Sequence, residues 1–201
     1  MSVGEYIIKQ EGDVSVGSVS LQFTAEDIGR AMAEGMVRSR QVGFLVLTNR
    51  NLYFVVTGFA EGFIASELAA MTPFGIGRKV ITGKKLSLND VYKNLKNPGS
   101  ITIPLKDVKL VQYHKPPLSG AQITVGYLTG GKFRAYTFMF KGFSGKEDWK
   151  KAIEEWVMKN GGRTDGAPPP DLPDICPDCG SKMGWVPLAY RYYCPQCRQF
   201  K

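Results

Sequence analysis

The stretch GFLVLTNRNLYFVV, residues 43–56, carries the strongest secondary-structure signal in the chain. Gly43–Leu47 and Leu52–Val56 are apolar runs of strand length. The polar segment Thr48–Asn51 separates them. Asparagine is frequent in tight turns because it tolerates the left-handed backbone conformation that such turns need. The stretch therefore predicts a β-hairpin.

Further strands are predicted on both sides of this hairpin, at Val14–Phe23, Ile101–Leu105, Val108–Tyr113, Ile123–Leu128 and Phe133–Phe140. Pro104 indicates an edge strand or a strand end, because proline cannot donate to a ladder. The last two segments would form a second hairpin around Thr129–Gly131. About seven strands of this kind predict a mainly β (α+β) fold, a small antiparallel barrel or sandwich.

A single strong helix is predicted after the strands. Ser144 and Glu147 have the spacing of a capping box, and Asn160–Gly162 would end the helix. One apolar face is formed by Trp149, Ala152, Ile153, Trp156 and Val157. A face with two tryptophans predicts that the helix caps the barrel.

Residues 58–99 interrupt the strand rhythm. Phe63–Met71 predicts a short helix, and Ser87–Asp90 resembles a capping box that starts another. The insert also carries basic residues that could bind an acidic partner, namely Arg78, Lys79, Lys84 and Lys85. A basic patch beside an apolar helix is typical of peripheral attachment to anionic membranes. In the alternative interpretation the apolar residues pack on the barrel and the lysines are solvated.

All four cysteines lie near the end of the chain, as two C-x₂-C pairs: Cys176 with Cys179, and Cys194 with Cys197. Two such turns can supply the four thiolates of one tetrahedral, structural zinc. Iron is the alternative, because Cys-Pro-x-Cys turns also hold iron in rubredoxin. Disulfides are disfavoured in a chain without a secretion signal. A closed set of four thiolates leaves no open position for Lewis-acid catalysis.

The residues around these cysteines are too few to bury a sufficient core, so a metal would hold the module together. Its aromatic and basic residues allow two interpretations. In one, bases stack on tyrosines while phosphates meet basic side chains, the residues being Tyr190, Tyr192, Tyr193, Arg191, Arg198 and Lys201. In the other, the tyrosines are the core of the module's own hairpin.

The segment GGRTDGAPPPDLPD, residues 161–174, has no apolar periodicity and contains three consecutive prolines. Such a composition predicts a semi-rigid polyproline II tether. The chain is therefore predicted to comprise a β domain (1–160), a linker (161–174) and a cysteine module (175–201). The module would unfold without changing the thermal transition of the β domain.

Two resemblances follow from these motifs. Val46–Phe54 resembles a hairpin of GRAM and related pleckstrin-homology-like domains, and Ile101–Val108 resembles the strand that follows it. Residues 175–201 resemble the zinc-ribbon superfamily. Pleckstrin-homology-like (PH-like) domains serve as docking modules for lipids, peptides and proteins and rarely catalyse, so the resemblance implies a binding function. The insertions at 24–38 and 58–99 lengthen connections that are usually brief.

Composition favours a binding protein. The formal net charge of the 201 residues is +8 at pH 7, which favours acidic partners or serves solubility alone. No signal peptide and no run of about 20 apolar residues is present, which predicts a cytoplasmic protein with at most peripheral membrane contact. His114 is the only histidine, and no nucleophile–base pattern stands out, so no enzyme is predicted. The expected function is an adaptor that docks to a protein or an anionic membrane; the alternative is a nucleic-acid-associated protein.

Overall fold

The computed structural model describes residues 4–18, 40–60, 85–116, 120–142 and 145–201. The insertion at 24–38 and the helix predicted at Phe63–Met71 lie outside these ranges.

The main sheet has seven antiparallel strands: β1 (Ile7–Ser18), β2 (Arg40–Thr48), β3 (Asn51–Ala60), β4 (Ile101–Pro104), β5 (Val108–His114), β6 (Gln122–Thr129) and β7 (Lys132–Met139). Their order across the sheet is β4-β3-β2-β1-β7-β6-β5. The two predicted hairpins are confirmed as β2–β3 and β6–β7. Pro104 ends the edge strand β4, as predicted.

β1 begins at Ile7, seven residues earlier than the predicted start at Val14. The register with β2 shifts between Glu11 and Val14, and Asp13 has a φ of 55°. A bulge of this kind breaks the alternation of side chains between the two faces of a strand. The first half of β1 therefore does not show the period of two that reveals a strand in a sequence.

Two helices accompany the sheet, α1 (Leu88–Asn94) and α2 (Glu147–Lys159), together with a 3₁₀ turn at Leu105–Asp107. The capping box of Ser87 and Asp90 at α1 is confirmed. Lys146 occupies the N-cap position of α2 without a side-chain cap, and Ser144, the predicted N-cap, lies outside the described residues. The Glu147 carboxylate instead accepts a hydrogen bond of 2.9 Å from the Tyr113 hydroxyl on β5.

The central core lies inside the main sheet, and each of its seven strands contributes to it. Trp149, Ile153 and Val157 of α2 are completely buried in this core, so the helix closes it as predicted. The fold is mainly β, a seven-stranded antiparallel sheet with a closing helix, which confirms the predicted PH-like fold class.

The hairpin β2–β3 is buried on both faces. Its inner residues belong to the central core, and its outer residues, among them Phe44, Val46 and Val55, form a second cluster with Val91 of α1. Burial on both faces explains why residues 43–56 read as continuous apolar runs without alternation. Helix α1, near the end of the 58–99 insert, therefore packs on the sheet, and its buried Val91 side chain covers the outer face of the hairpin.

The turn between β2 and β3 works differently from the prediction. Neither Asn49 nor Arg50 has a positive φ, so the prediction of a left-handed asparagine is wrong. The Thr48 hydroxyl accepts the N–H groups of Arg50 and Asn51, at 3.2 and 2.9 Å. The Asn49 side-chain oxygen accepts the N–H of Tyr6 at 3.0 Å. The polar residues therefore stabilise the turn through side-chain hydrogen bonds, and one of these bonds attaches the N-terminal segment.

Glu5 joins three parts of the fold through its carboxylate. Oε1 accepts hydrogen bonds from Thr48 (2.6 Å), Asn51 (2.9 Å) and Tyr53 (3.1 Å), while Oε2 accepts one from Tyr92 of α1 (2.6 Å). Burial by itself would raise the pKa of Glu5, but these hydrogen bonds outweigh it and hold the pKa below its usual value. The ionised form is thus the one that the folded protein stabilises.

We expect Glu5→Ala to lower the free energy of unfolding by about 2 kcal/mol, since it removes the shared acceptor of several donors. Because the folded pKa is lowered, this stabilisation is present above the unfolded pKa and is lost as the pH falls through the folded one. Urea titrations at neutral and acidic pH should show a gap between wild type and variant that narrows on acidification. Glu155→Ala, on the exposed side of α2, serves as the control, and an equal loss there would contradict the role of Glu5.

The cysteine-containing end of the chain forms a second sheet of three short strands, β8 (Gly184–Val186), β9 (Arg191–Cys194) and β10 (Gln199–Phe200). Their order is β10-β9-β8, with β9 in the centre. The proline segment before it contains a turn, closed by a hydrogen bond of 3.2 Å from the Leu172 N–H to the Pro169 carbonyl. Among the described helices, none has the length and apolar character needed to cross a membrane.

Candidate functional site

The four cysteines converge at one end of the small sheet. All four Sγ atoms lie within 4.8 Å of one another. Cys176 and Cys194 are buried, Cys197 is half-buried and Cys179 is exposed. The structure therefore brings together the four residues that the spacing singled out, in an arrangement compatible with a metal site.

Each C-x₂-C pair sits in a tight turn that ends in a left-handed residue. Gly180 follows the first pair with a φ of 72°, and its N–H donates to the Cys176 carbonyl at 2.9 Å. Arg198 occupies the equivalent position after the second pair with a φ of 55°. In that second turn the Cys197 N–H points at the Cys194 sulfur, 3.4 Å away. Backbone N–H groups directed at sulfur stabilise thiolates.

Two of the sulfur–sulfur separations are close to those of a tetrahedral thiolate centre. Ligands at about 2.3 Å from a tetrahedral zinc lie about 3.8 Å from one another. The Sγ atoms are 3.8 Å apart for Cys176 and Cys197, and 3.4 Å apart for Cys179 and Cys194. Both separations are much longer than the sulfur–sulfur bond of a disulfide, about 2.05 Å.

The thiols of the cysteine cluster differ in their pKa. Hydrogen bonds from Ser181 lower the pKa of the Cys179 thiol to about 6. The neighbouring sulfur of Cys179 raises the pKa of Cys197 to about 12, with burial adding to the shift. Four thiolates at these separations repel one another, so full deprotonation requires a positive charge among them.

We call the cysteine module, residues 175–201, the ribbon. Aromatic residues between its two cysteine pairs pack against one another. The Trp185 ring lies edge-on to Tyr190 and to Tyr192, with centroids 5.2 and 5.1 Å away. Tyr192 also packs on the cluster of Cys176, Met183 and Cys194. The interpretation of these tyrosines as core therefore holds for Tyr190 and Tyr192.

The same aromatic group contacts the β domain. The Tyr190 ring stacks on Phe133 of β7, with centroids 4.9 Å apart and planes 10° apart. The Trp185 indole N–H donates to the Gly166 carbonyl at 2.6 Å. Gly126 on β6 makes room for Phe133, because a Cβ there would lie 2.3 Å from the ring. The ribbon is thus docked on the outer face of β5–β7.

Residues 163–166, expected to belong to a tether, lie against the outer edge of β5. Three backbone hydrogen bonds join the two segments: Arg163 N–H to Val108 O at 2.9 Å, Val111 N–H to Thr164 O at 3.0 Å, and Gly166 N–H to Lys109 O at 2.9 Å. Gly166 also covers Leu110, which is almost completely buried. This contact occupies a sheet edge that would otherwise present unpaired backbone groups.

We expect the Phe133–Tyr190 stack to show a coupling free energy of about 1 kcal/mol in a double-mutant cycle of Phe133→Ala and Tyr190→Ala. Chemical unfolding followed by far-UV circular dichroism would measure it. Phe133→Ala combined with Phe200→Ala gives a control cycle, because Phe200 lies on the opposite ribbon face. The control pair should be additive within about 0.5 kcal/mol. Additivity in both cycles would contradict the docked arrangement.

The structure places only part of the predicted basic patch. Arg78, Lys79 and Lys84 lie outside the described residues, while Lys85 is exposed. The neighbouring Leu86 N–H donates to the Gln10 side chain of β1 at 2.7 Å, so Lys85 is held at the surface beside β1. His114 is exposed at the end of β5, as expected.

Sequence reasoning missed the docking face for the ribbon. Leu110 on β5, Phe133 and Ala135 on β7 point away from the central core and are covered or half-covered. The sequence contained one indication of this docking face, namely Gly126 in the middle of a strand. A glycine inside a strand often marks a position where another group approaches closely.

Comparison with solved structures finds the Vps36 N-terminal PH domain, at a TM-score of 0.43 and 14% sequence identity, over 78% of this chain and 81% of that one. No protein-family model matches the chain, and no curated protein matches it.

Proposed function

We propose that this chain is a non-catalytic docking protein with two interaction modules, a PH-like domain and a zinc ribbon. The observation that carries the proposal is the packing of the β domain. Its interior is filled by its own side chains, with Trp149, Phe54 and Phe138 completely buried. Partners must therefore meet the outer surfaces of the domain. A PH-like fold is typical of such surface recognition and rarely of catalysis.

We infer that the metal is one structural zinc, held by Cys176, Cys179, Cys194 and Cys197. A tetrahedral all-thiolate set favours zinc, with iron as the competitor. Metal analysis should give one zinc per chain, and the purified protein should be colourless. A coloured protein that contains iron would overturn the assignment. No position remains for substrate in this set, so its role would be to hold the ribbon together.

We also infer that the β domain is of the GRAM type. Its two matching motifs support this, because they are adjacent in the sheet: Asn51, Leu52 and Tyr53 of β3 pair with residues of β4. The expected location is the cytoplasm, with peripheral attachment where an anionic membrane is the partner.

The proposed partner is a protein or an anionic membrane surface, met through the basic patch of Arg78, Lys79, Lys84 and Lys85. The double variant Lys84→Glu with Lys85→Glu should weaken binding to anionic vesicles by at least about tenfold, because each lysine near an anionic surface contributes to the free energy of binding. Co-sedimentation with neutral and anionic vesicles measures this. Lys106→Glu with Lys151→Glu reverses two exposed charges elsewhere and is the matched control.

Affinity purification from the native host, with wild type and both double variants as bait, tests the protein partner. A partner retained by wild type and the control, and lost from the Lys84/Lys85 variant, supports the proposal. Equal behaviour of all three baits would remove the basic patch from the interface. Absence of both vesicle binding and a specific protein partner would overturn the docking function.

A further inference from the structure

The small sheet of the ribbon has one docked face and one free face. Side chains alternate between the faces of a strand, so Tyr192 and Tyr193 on β9 point in opposite directions. Tyr192 lies with Trp185 on the face that meets the β domain. Tyr193 lies on the other face beside Phe200 of β10, with ring centroids 5.3 Å apart and planes at 64°. We call the side of Arg191, Tyr193 and Phe200 the free face.

The free face has open space next to its aromatic pair. Gly184 is the residue of β8 that pairs with Tyr193. A Cβ at Gly184 would meet no atom within 4 Å, so none of the described residues covers the sheet on that side of the tyrosine. Neither Tyr193 nor Phe200 is among the fully exposed large apolar residues, and both are half-buried. The pair therefore forms a shallow platform with no protruding apolar side chain that could insert into a membrane.

Arginines lie on both sides of this platform along the strand direction. Arg191 is two residues before Tyr193, about 6.8 Å along a strand, and Arg198 lies in the turn that leads into Phe200. Both are exposed, and within the described part of the chain neither forms an ion pair. The acids of this region are engaged elsewhere, Asp174 with Lys182 at 3.9 Å and Asp178 with Lys201.

These two arginines are the positive charge that the free face offers to a ligand. Four thiolates around a divalent metal sum to a negative centre, so the metal site itself does not attract an anion. A guanidinium is always charged and matches the geometry of phosphate. An aromatic platform between two unpaired arginines is suited to a ligand that alternates flat rings with phosphates.

We propose that the free face of the ribbon binds single-stranded nucleic acid. An unpaired base stacks on the Tyr193–Phe200 platform, and Arg191 and Arg198 contact the phosphates on either side of it. A duplex fits less well, because its bases are already stacked and paired. The proposal is independent of what docks on the PH-like domain. The sequence allowed base stacking on Tyr190, Tyr192 and Tyr193. In the structure Tyr190 and Tyr192 face the β domain, so the stacking residues proposed here are Tyr193 and Phe200.

The test uses the zinc-loaded full chain and a fluorescein-labelled oligodeoxythymidylate of about twelve nucleotides, within the usual site sizes for single strands. Fluorescence anisotropy at several salt concentrations should give a slope of log K against log salt of about −1.4 for two phosphate contacts. Arg191→Gln and Arg198→Gln should each reduce its magnitude by about 0.7. Lys106→Gln, an exposed charge on the β domain, should leave it unchanged.

Tyr193→Ala should weaken binding at least about fivefold, and Tyr193→Phe, which retains the ring, should bind like wild type. Zinc content and circular dichroism show whether each ribbon remains folded. The exposed arginine variants keep the proposal testable if Tyr193→Ala does not fold. It is overturned by absence of oligonucleotide binding at low salt, or by salt slopes unchanged in both arginine variants.

Discussion

Cys194→Ser is expected to abolish metal binding, unfold the ribbon and also lower the thermal midpoint of the β domain. Cys194 is completely buried and packs with Cys176 and Met183 in the cysteine cluster. Structural zinc contributes about 10–16 kcal/mol to the folding of comparable small modules. The ribbon is therefore not expected to stay folded when one of its four cysteines is replaced. The effect on the β domain follows from docking, because an unfolded ribbon no longer supplies Tyr190 and Trp185 to the face beside Phe133.

The expected fall in the thermal midpoint of the β domain can be estimated from the contacts that are lost. Loss of the Phe133–Tyr190 stack, the Trp185–Gly166 hydrogen bond and part of the cover over Leu110 should cost the β domain about 2 kcal/mol. For a domain of this size that corresponds to a fall in the midpoint of about 5 °C. The sequence alone predicted an independent module on a stiff tether, for which the midpoint would stay nearly constant.

Calorimetry and metal analysis on the same samples separate the two effects. Tyr190→Ala is the informative companion variant, since it removes the docking ring and leaves all four sulfur ligands in place. We expect it to retain zinc and still lower the midpoint of the β domain. An unchanged β-domain midpoint in Cys194→Ser, with zinc lost, would show that the ribbon does not stabilise the domain.

The features that the sequence predicted well are those encoded in short stretches. Residues 43–56 could be identified as a hairpin because both faces are buried and the turn is polar. The spacing of the four cysteines between Cys176 and Cys197 identified their cluster, because local turns bring the sulfur atoms together. The capping box at Ser87 was found for the same reason, since its two hydrogen bonds lie within four residues.

The features that it missed depend on contacts distant in sequence. The start of β1 was hidden by the bulge at Asp13. The N-terminus of α2 was misplaced because Glu147 binds Tyr113, which lies 34 residues away in sequence. The docked ribbon depends on Phe133 and Tyr190, whose stacking no periodicity reveals. Residues 163–166 looked like a tether because their partners are the backbone atoms of β5, which leave no signature in composition.

The two tryptophans of α2 allow a fully buried ring to be compared with a half-buried ring in the same helix. Trp149 has no exposed surface; its ring lies 5.8 Å from that of Phe140, and its indole N–H donates to Glu11 at 3.3 Å. Trp156 is half-buried at the rim, with Tyr6 edge-on at 6.0 Å and Lys159 4.4 Å above its ring. Both lie within the same helix, so replacing either by alanine changes helix propensity equally.

Trp149→Ala is therefore expected to lower the free energy of unfolding by about 3–5 kcal/mol, because it opens a large cavity where α2 closes the core. Trp156→Ala should cost only about 1–2 kcal/mol, since its surroundings can relax and solvent can fill the space. Urea unfolding followed by far-UV circular dichroism measures both. Trp149→Phe should fall between them, because it keeps most of the ring volume but leaves Glu11 without the indole donor. Equal losses for Trp149→Ala and Trp156→Ala would mean that α2 stabilises the domain through its rim and not by filling the core.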